Sequence, residues 1–196
     1  GTINTSSING GAGTAVVNFK QTDSSYTFLP QLTGTLSVNQ LGTGKTVFSG
    51  ANTYSGGTTI SAGTLVARNA SALGTGNVTN DAVLDVGTTV LNLGAGAYNQ
   101  TGILTFTVNS ASVGDFGAIS STGGNVAGTI TPIVSGYLAN NDTLAIINGN
   151  GSLTYDAATI LTPYSHYTFT GSQSGGVLTL TASRAENGFA SDAGGN

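Results

Sequence analysis

Gly50-Ala51-Asn52-Thr53-Tyr54-Ser55-Gly56-Gly57-Thr58-Thr59-Ile60-Ser61-Ala62-Gly63-Thr64-Leu65-Val66, followed shortly by Ala72-Leu73-Gly74-Thr75-Gly76-Asn77-Val78, is the stretch that decides how this chain folds. It reads as a strand, a turn at Ser55-Gly56-Gly57, a strand through Ile60, a corner at Gly63 and a further strand through Leu65. Gly and Asn accept positive φ at little cost, so their clusters mark changes of chain direction.

The same rhythm extends in both directions. Leu36 and Val38 alternate with Thr35 and Ser37. Leu104, Phe106 and Val108 share one strand face against Thr105 and Thr107. Ile130 and Val134 recur around Thr129, Thr131 and Ile133, and Leu178 and Leu180 around Val177, Thr179 and Thr181. A period of two is the signature of half-buried strands, and these residue types suit a pleated surface. Punctuation falls at Gly42-Thr43-Gly44, Gly94-Ala95-Gly96, Gly123-Gly124-Asn125 and Asn148-Gly149-Asn150-Gly151. Helical signal is confined to residues 183–193, where Gly188 and small polar residues weaken it. The chain is therefore all-β, and strands spaced by roughly 8 to 20 residues fit either a sandwich or a coil of stacked turns.

Composition separates these two. Only 6% of the 196 residues are charged, 31 are Gly, and none is Cys, Met or Trp. Thr, Ser and Asn make up roughly a third, where an ordinary domain carries about 25% charge. In a parallel β-helix, equivalent positions on successive turns lie about 4.8 Å apart. Like charges at that spacing cost about 0.9 kcal/mol in water, and more where water is excluded. Thr, Ser and Asn form side-chain ladders there instead. A sandwich has no such reason to avoid Lys and Glu, so the solenoid is favoured. At about 20 to 25 residues per turn, eight or nine turns and a length of about 40 Å are expected. Open ends expose strand edges, so a cap is expected too.

Several function classes fall away. Four basic residues against eight acidic ones, a formal charge of −4, cannot supply a nucleic-acid surface. No run approaches the ~20 apolar residues of a membrane-spanning helix. Without Cys there are no disulfides, thiolate metal sites or Cys nucleophiles. With Gly at position 1 and no Met, the chain reads as a piece of a longer precursor.

The opening stretch resembles the passenger-associated repeat of bacterial autotransporters, roughly G-x-N-T-Y-x-G-x-T-x-I-x-x-G-T-L with a following A-L-G-x-G. The matching positions are Asn52, Thr53, Tyr54, Gly57, Thr59, Ile60, Gly63, Thr64 and Leu65, then Leu73 and Gly74, within a repeat spanning about residues 45–80. Residues 102–183 more loosely resemble the C-terminal, autochaperone-like region of such passengers, through Gly128-Thr129-Ile130, Asp142-Thr143-Leu144-Ala145-Ile146-Ile147 and Gly176-Val177-Leu178-Thr179-Leu180-Thr181-Ala182. The tail 184–196 is similar to the segment leading into a translocator barrel. The resemblance implies a right-handed parallel β-helix exported through a Gram-negative outer membrane and displayed or released there. Residues 1–101 would be stem and 102–183 a capped module that folds first. The implied partners are the chain's own translocator β-barrel and the outer-membrane assembly machinery, with a host surface or another passenger as further options. No cofactor or metal is implied, and no enzymatic activity. An adhesin module binding host glycan or protein, or self-associating, is the alternative reading, with a β-helical glycan hydrolase or lyase behind it.

Each candidate for chemistry is outweighed by a plainer reading. Asn39-Gln40-Leu41-Gly42-Thr43-Gly44-Lys45-Thr46 looks like a phosphate loop, but Asn39 stands where the first Gly belongs and a strand follows rather than a helix. His166 is the only histidine. Its neighbour Ser165 points to the opposite strand face and cannot be its nucleophile. Asp81 and Asp85 share a face but lie about 13 Å apart on one strand, beyond the ~5–9.5 Å of glycosidase pairs. The Gly-Gly-x-Gly-x-Asp repeat of calcium-binding coils is missing. Tyr155, Tyr164, Tyr167 and Phe169 read as the packed cap of the coil, with Tyr167 and Phe169 meeting Leu178 and Leu180.

Overall fold

A computed structural model describes residue 3 and residues 5–156, 159–162 and 166–184. The strands follow one another in turns. The first turn is β1 (Ser7–Asn9), β2 (Val16–Phe19) and β3 (Tyr26–Phe28); the second is β4 (Gln31–Thr33), β5 (Ser37–Gln40) and β6 (Lys45–Phe48). Two turns follow with two strands each: β7 (Thr58–Ile60) with β8 (Thr64–Ala67), and β9 (Val78–Asn80) with β10 (Val83–Gly87). Three-strand turns then resume with β11 (Val90–Asn92), β12 (Tyr98–Gln100) and β13 (Ile103–Val108). The next is β14 (Ala118–Ser120), β15 (Gly124–Val126) and β16 (Thr129–Val134). The last is β17 (Thr143–Asn148), β18 (Leu153–Tyr155) and β19 (Thr159–Ile160). A hairpin of β20 (Tyr167–Ser174) and β21 (Val177–Arg184) ends the described chain.

Strands at the same place in successive turns pair in parallel. One seven-stranded sheet runs β2-β5-β7-β9-β12-β15-β18 and a second runs β3-β6-β8-β10-β13-β16-β19. The third face carries the β1-β4 pair and the sheet β11-β14-β17-β21-β20. Between these two, segments 51–55 and 70–74 keep the face continuous through Thr53 N–H to Leu32 O at 2.9 Å, Thr75 N–H to Tyr54 O at 2.9 Å and Asn92 N–H to Ala70 O at 2.7 Å. This is the parallel β-helix that the composition favoured over a sandwich.

The repeat length is regular and then expands. Val38, Thr58, Val78 and Tyr98 are successive register partners, 20 residues apart. Gln100 then faces Val126, 26 residues on, and Gly124 faces Leu153, 29 residues on. The longer turns hold excursions over residues 109–117 and 135–142. The seven-stranded sheets give seven turns, not eight or nine, and a stack of about 29 Å rather than 40 Å. The difference arises because the added residues widen late turns instead of adding new ones.

Inward side chains align from turn to turn. Leu65, Leu84, Leu104 and Ile130 form one apolar ladder, each essentially unexposed. Burying each stabilises the fold by about 1.5–3 kcal/mol. Phe19, Phe28 and Phe48 fill the interior of the first two turns. Phe19 stands edge-on to Phe28 at 5.0 Å and to Phe48 at 5.2 Å between centroids. Facing outward on the first sheet are Asn18, Asn39, Thr59, Thr79 and Asn99 in continuous register, then Asn125 opposite Thr154. Asn39 Nδ2 donates to Asn18 Oδ1 at 2.9 Å. The outer stack is neutral and polar throughout, as the charge argument requires.

At the C-terminal end the chain reverses. β21 pairs antiparallel with β17, placing Leu180 opposite Leu144 and Leu178 opposite Ile147, and β20 pairs antiparallel with β21. Gly175 and Gly176 form the two-residue hairpin turn with φ of 56° and 78°, both positive as a type I′ connection requires. Arg184 is still part of β21. The rest of the tail, with the helical signal read there, lies outside the described residues.

Thr59→Glu and Thr79→Glu place two carboxylates on adjacent turns. Each single change is expected to be mild, and the pair to cost about 0.9 kcal/mol beyond their sum at low salt. A double-mutant cycle by urea unfolding measures this term. Zero coupling, or coupling insensitive to salt, would remove the charge-exclusion argument.

Candidate functional site

The quoted stretch occupies most of the third turn. Segment 51–55 lies on the third face, β7 on the first sheet and β8 on the second. Thr53 is exposed, Thr59 stands in the outer polar ladder, Thr64 opens β8, and Ile60, Leu65 and Leu73 are fully buried. Gly57 sits at the turn into β7.

Asn52 is buried, and its carboxamide joins three turns. Its Oδ1 accepts the Leu32 N–H at 2.8 Å from the turn before, and its Nδ2 donates to Ala72 O at 2.6 Å in the turn after. The side chain thus replaces a ladder bond where segments 51–55 and 70–74 carry no regular strand. Tyr54 is also buried, its hydroxyl 2.6 Å from Thr58 Oγ1. The ring leaves room above it for a residue without Cβ only. A Cβ on Gly74 would fall inside contact distance of the Tyr54 carbonyl and ring, and Gly74 has φ of 67°. Gly63, at φ of 63°, passes equally close to the carbonyls of Gly42 and Gly44 in the preceding turn.

A second polar stack escaped the sequence reading. Phe19, Gln40, Ile60, Asn80, Gln100 and Val126 share one inward register at the corner leaving the first sheet. Gln40 Nε2 donates to Gly42 O at 2.9 Å, and Gln40 Oε1 accepts from Thr46 at 2.7 Å. Asn80 Nδ2 donates to Ile103 O at 2.9 Å and to the Tyr98 hydroxyl, which donates to Gln100 Oε1 at 2.8 Å. Gln100 Nε2 reaches Ala127 O and Thr129 O in the next turn at 3.0 and 2.9 Å. The available signal was the recurrence of a long carboxamide at positions 40, 80 and 100, each just before a corner. Burial pushes the hydroxyls of Tyr54 and Tyr98 well above the usual tyrosine range. Their hydrogen bonds with Thr58 and Asn80 only partly offset this.

The other candidates fall on structural positions. The phosphate-loop look-alike is the corner between β5 and β6, with Lys45 opening a strand, so no helix N-terminus faces an anion. Asp85 is clamped by the Arg68 guanidinium of the preceding turn, at 3.2 and 3.0 Å to its two oxygens. Asp81 accepts from Thr101 at 2.7 Å. His166 is exposed just before β20; its neighbours Tyr164 and Ser165 lie outside the described residues. At the cap, Tyr167 is half-buried and its hydroxyl accepts the Leu138 N–H at 3.1 Å. Its ring lies 6.5 Å from that of Phe169. Phe169, Leu178 and Leu180 belong to the core. Tyr155 packs over Gly171 of β20, and burial raises its hydroxyl pKa. Outside, a shallow strip of about 720 Å³ runs along the coil between Ser37, Asn39, Gly57, Thr59, Gly76 and Asn77, and carries no charged group.

Residues 38–67 match the family model described as the passenger-associated-transport-repeat. The match runs from β5 to the end of β8, beginning upstream of the quoted stretch and stopping before Leu73 and Gly74. The chain therefore carries this repeat, and the match supports an autotransporter passenger domain. The family is a repeat of passenger domains rather than a catalytic family. No curated protein and no solved structure matches the chain.

Asn52→Ala leaves the Leu32 N–H and the Ala72 carbonyl buried without partners. A loss on the order of 2–4 kcal/mol is expected by chemical denaturation, whereas Thr53→Ala stays near neutral. The tyrosines give a pH test. The unfolded chain ionises them near pH ~10, while the folded protein holds their protons to higher pH. Their stabilisation is intact below pH ~10 and is lost as pH rises through the folded-state pKa. Unfolding free energy measured across that range should fall less steeply in Tyr54→Phe and Tyr98→Phe.

Proposed function

We propose that this chain is a structural stem and folding nucleus of an autotransporter passenger, supporting export across the outer membrane and display at or release from the cell surface. Residues 1–101 form stem turns, 102–183 the module that folds first, and 184–196 the lead into a translocator barrel, which with the outer-membrane assembly machinery is the partner. The role is mechanical rather than catalytic.

One observation carries the reading: the β20–β21 hairpin turns the chain antiparallel and closes the ladder at the C-terminal end. Every other turn depends on a neighbour for its backbone partners. A new turn gains ladder bonds and apolar burial only against a turn already folded, so the closed end is where growth starts most cheaply. The expansion of the repeat beyond Gln100 supports a distinct C-terminal module. The side-chain bonds of Asp81 and Asp85 support a structural use of the two carboxylates first considered as a glycosidase pair.

A second reading, an adhesin face for glycan or protein, is favoured by the neutral polar strip along the Gly76 edge. One set of measurements separates the two. Removing residues 140–183 should leave the remaining turns protease-sensitive and prone to aggregate, while the intact chain stays unretained on a glycan array. A truncated chain as resistant as the whole would end the nucleus role. Retention lost on Asn77→Ala and Thr59→Ala would favour the adhesin.

A further inference from the structure

Asn-Gly pairs begin at Asn9, Asn148, Asn150 and Asn187, the last outside the described residues. In such a pair no Cβ hinders the following amide nitrogen from reaching the Asn side-chain carbon. In a folded chain, the reaction is held back where that nitrogen is tied into a hydrogen bond and must first open. Gly10 N–H donates to Thr33 O at 3.0 Å, and Gly149 N–H to Gly176 O at 2.8 Å. Their Asn partners are tied as well: Asn9 Oδ1 accepts from Gly11 N–H at 2.7 Å and Asn148 Oδ1 from Asn150 N–H at 3.1 Å. Gly151 N–H has no acceptor among the described residues, and no bond holds the Asn150 side chain. Asn150 and Gly151 are both exposed, with φ of 47° and 88°.

We propose that Asn150 is a self-modification site. The Gly151 amide nitrogen gives its proton to hydroxide and attacks Asn150 Cγ. The new N–Cγ bond forms, the Cγ–NH₂ bond breaks, and ammonia leaves after taking up a proton. The resulting succinimide ring adds water across either carbonyl, giving aspartate or isoaspartate. The balance is one water consumed and one ammonia released, with no change of oxidation state.

The position gives the reaction a consequence. The 149–152 turn abuts the hairpin turn of the cap. Gly176 approaches so closely that a Cβ on it would collide with the nitrogen and Cα of Gly151. Isoaspartate lengthens the main chain by one carbon at that seam, and both products add a negative charge. The modified chain therefore holds its closing hairpin less firmly, and the cap acquires a slow chemical clock.

The test incubates the folded chain in mildly alkaline buffer beside a synthetic peptide of residues 146–154, with tandem mass mapping of each Asn. Asn150 should deamidate within a few-fold of its rate in the peptide, and Asn148 and Asn9 slower by about tenfold or more. Asn150→Gln should abolish the gain. Hydrogen exchange over residues 167–184 should quicken in the modified chain. Asn150 reacting as slowly as Asn148 would overturn the site, and unchanged exchange in fully modified protein would overturn its coupling to the cap.

Discussion

A strand of three or four residues has amide groups pointing out of both edges and cannot satisfy either by itself. In this protein nearly all of those groups find partners one turn away, about 20 residues along the chain. That inter-turn ladder governs the rest. It sets the common register of the inward side chains, confines the outward ones to neutral polar types, and makes each turn stable only beside another. It also makes the ends the costly places, since an uncovered strand edge is a template for further pairing. The antiparallel hairpin of β20 and β21 deals with one of them.

Where the ladder lapses, side chains take over its work. Asn52 supplies an acceptor to Leu32 and a donor to Ala72 on a face without regular strand at that level. Gln40, Asn80 and Gln100 do the same for the corner carbonyls leaving the first sheet. These buried amides explain how a coil with so few charges still satisfies its interior polar groups. They also fix register, because a shift of one residue would leave each carboxamide facing apolar neighbours. A repeat built on N-T-Y therefore specifies geometry between turns and needs no ligand to account for it.

Much of this was legible in the residues. The period-two alternation at Leu104, Phe106 and Val108 named an inward face, and the scarcity of charge pointed to stacked turns rather than facing sheets. The signature around Asn52 identified the repeat before any coordinate did. The number of turns was not legible. Residues 109–117 and 135–142 add length to late turns, and a count from average spacing treats that length as further turns. The carboxamide stack was missed for a related reason. Gln40 stood in a fragment that looked like a phosphate loop, and local motif reading says nothing about which residues lie above and below.

The sequence by itself determined that the chain is all-β, that its strands alternate faces, and that its corners fall at glycines, because these depend on interactions within a few residues. Tertiary structure alone decided which turn sits on which, how Asn52 and Arg68 reach across to their neighbours, and that the last two strands run against the others. Those facts belong to contacts between residues about 20 or more positions apart, and such contacts acquire a definite geometry only once the coil has closed around its core.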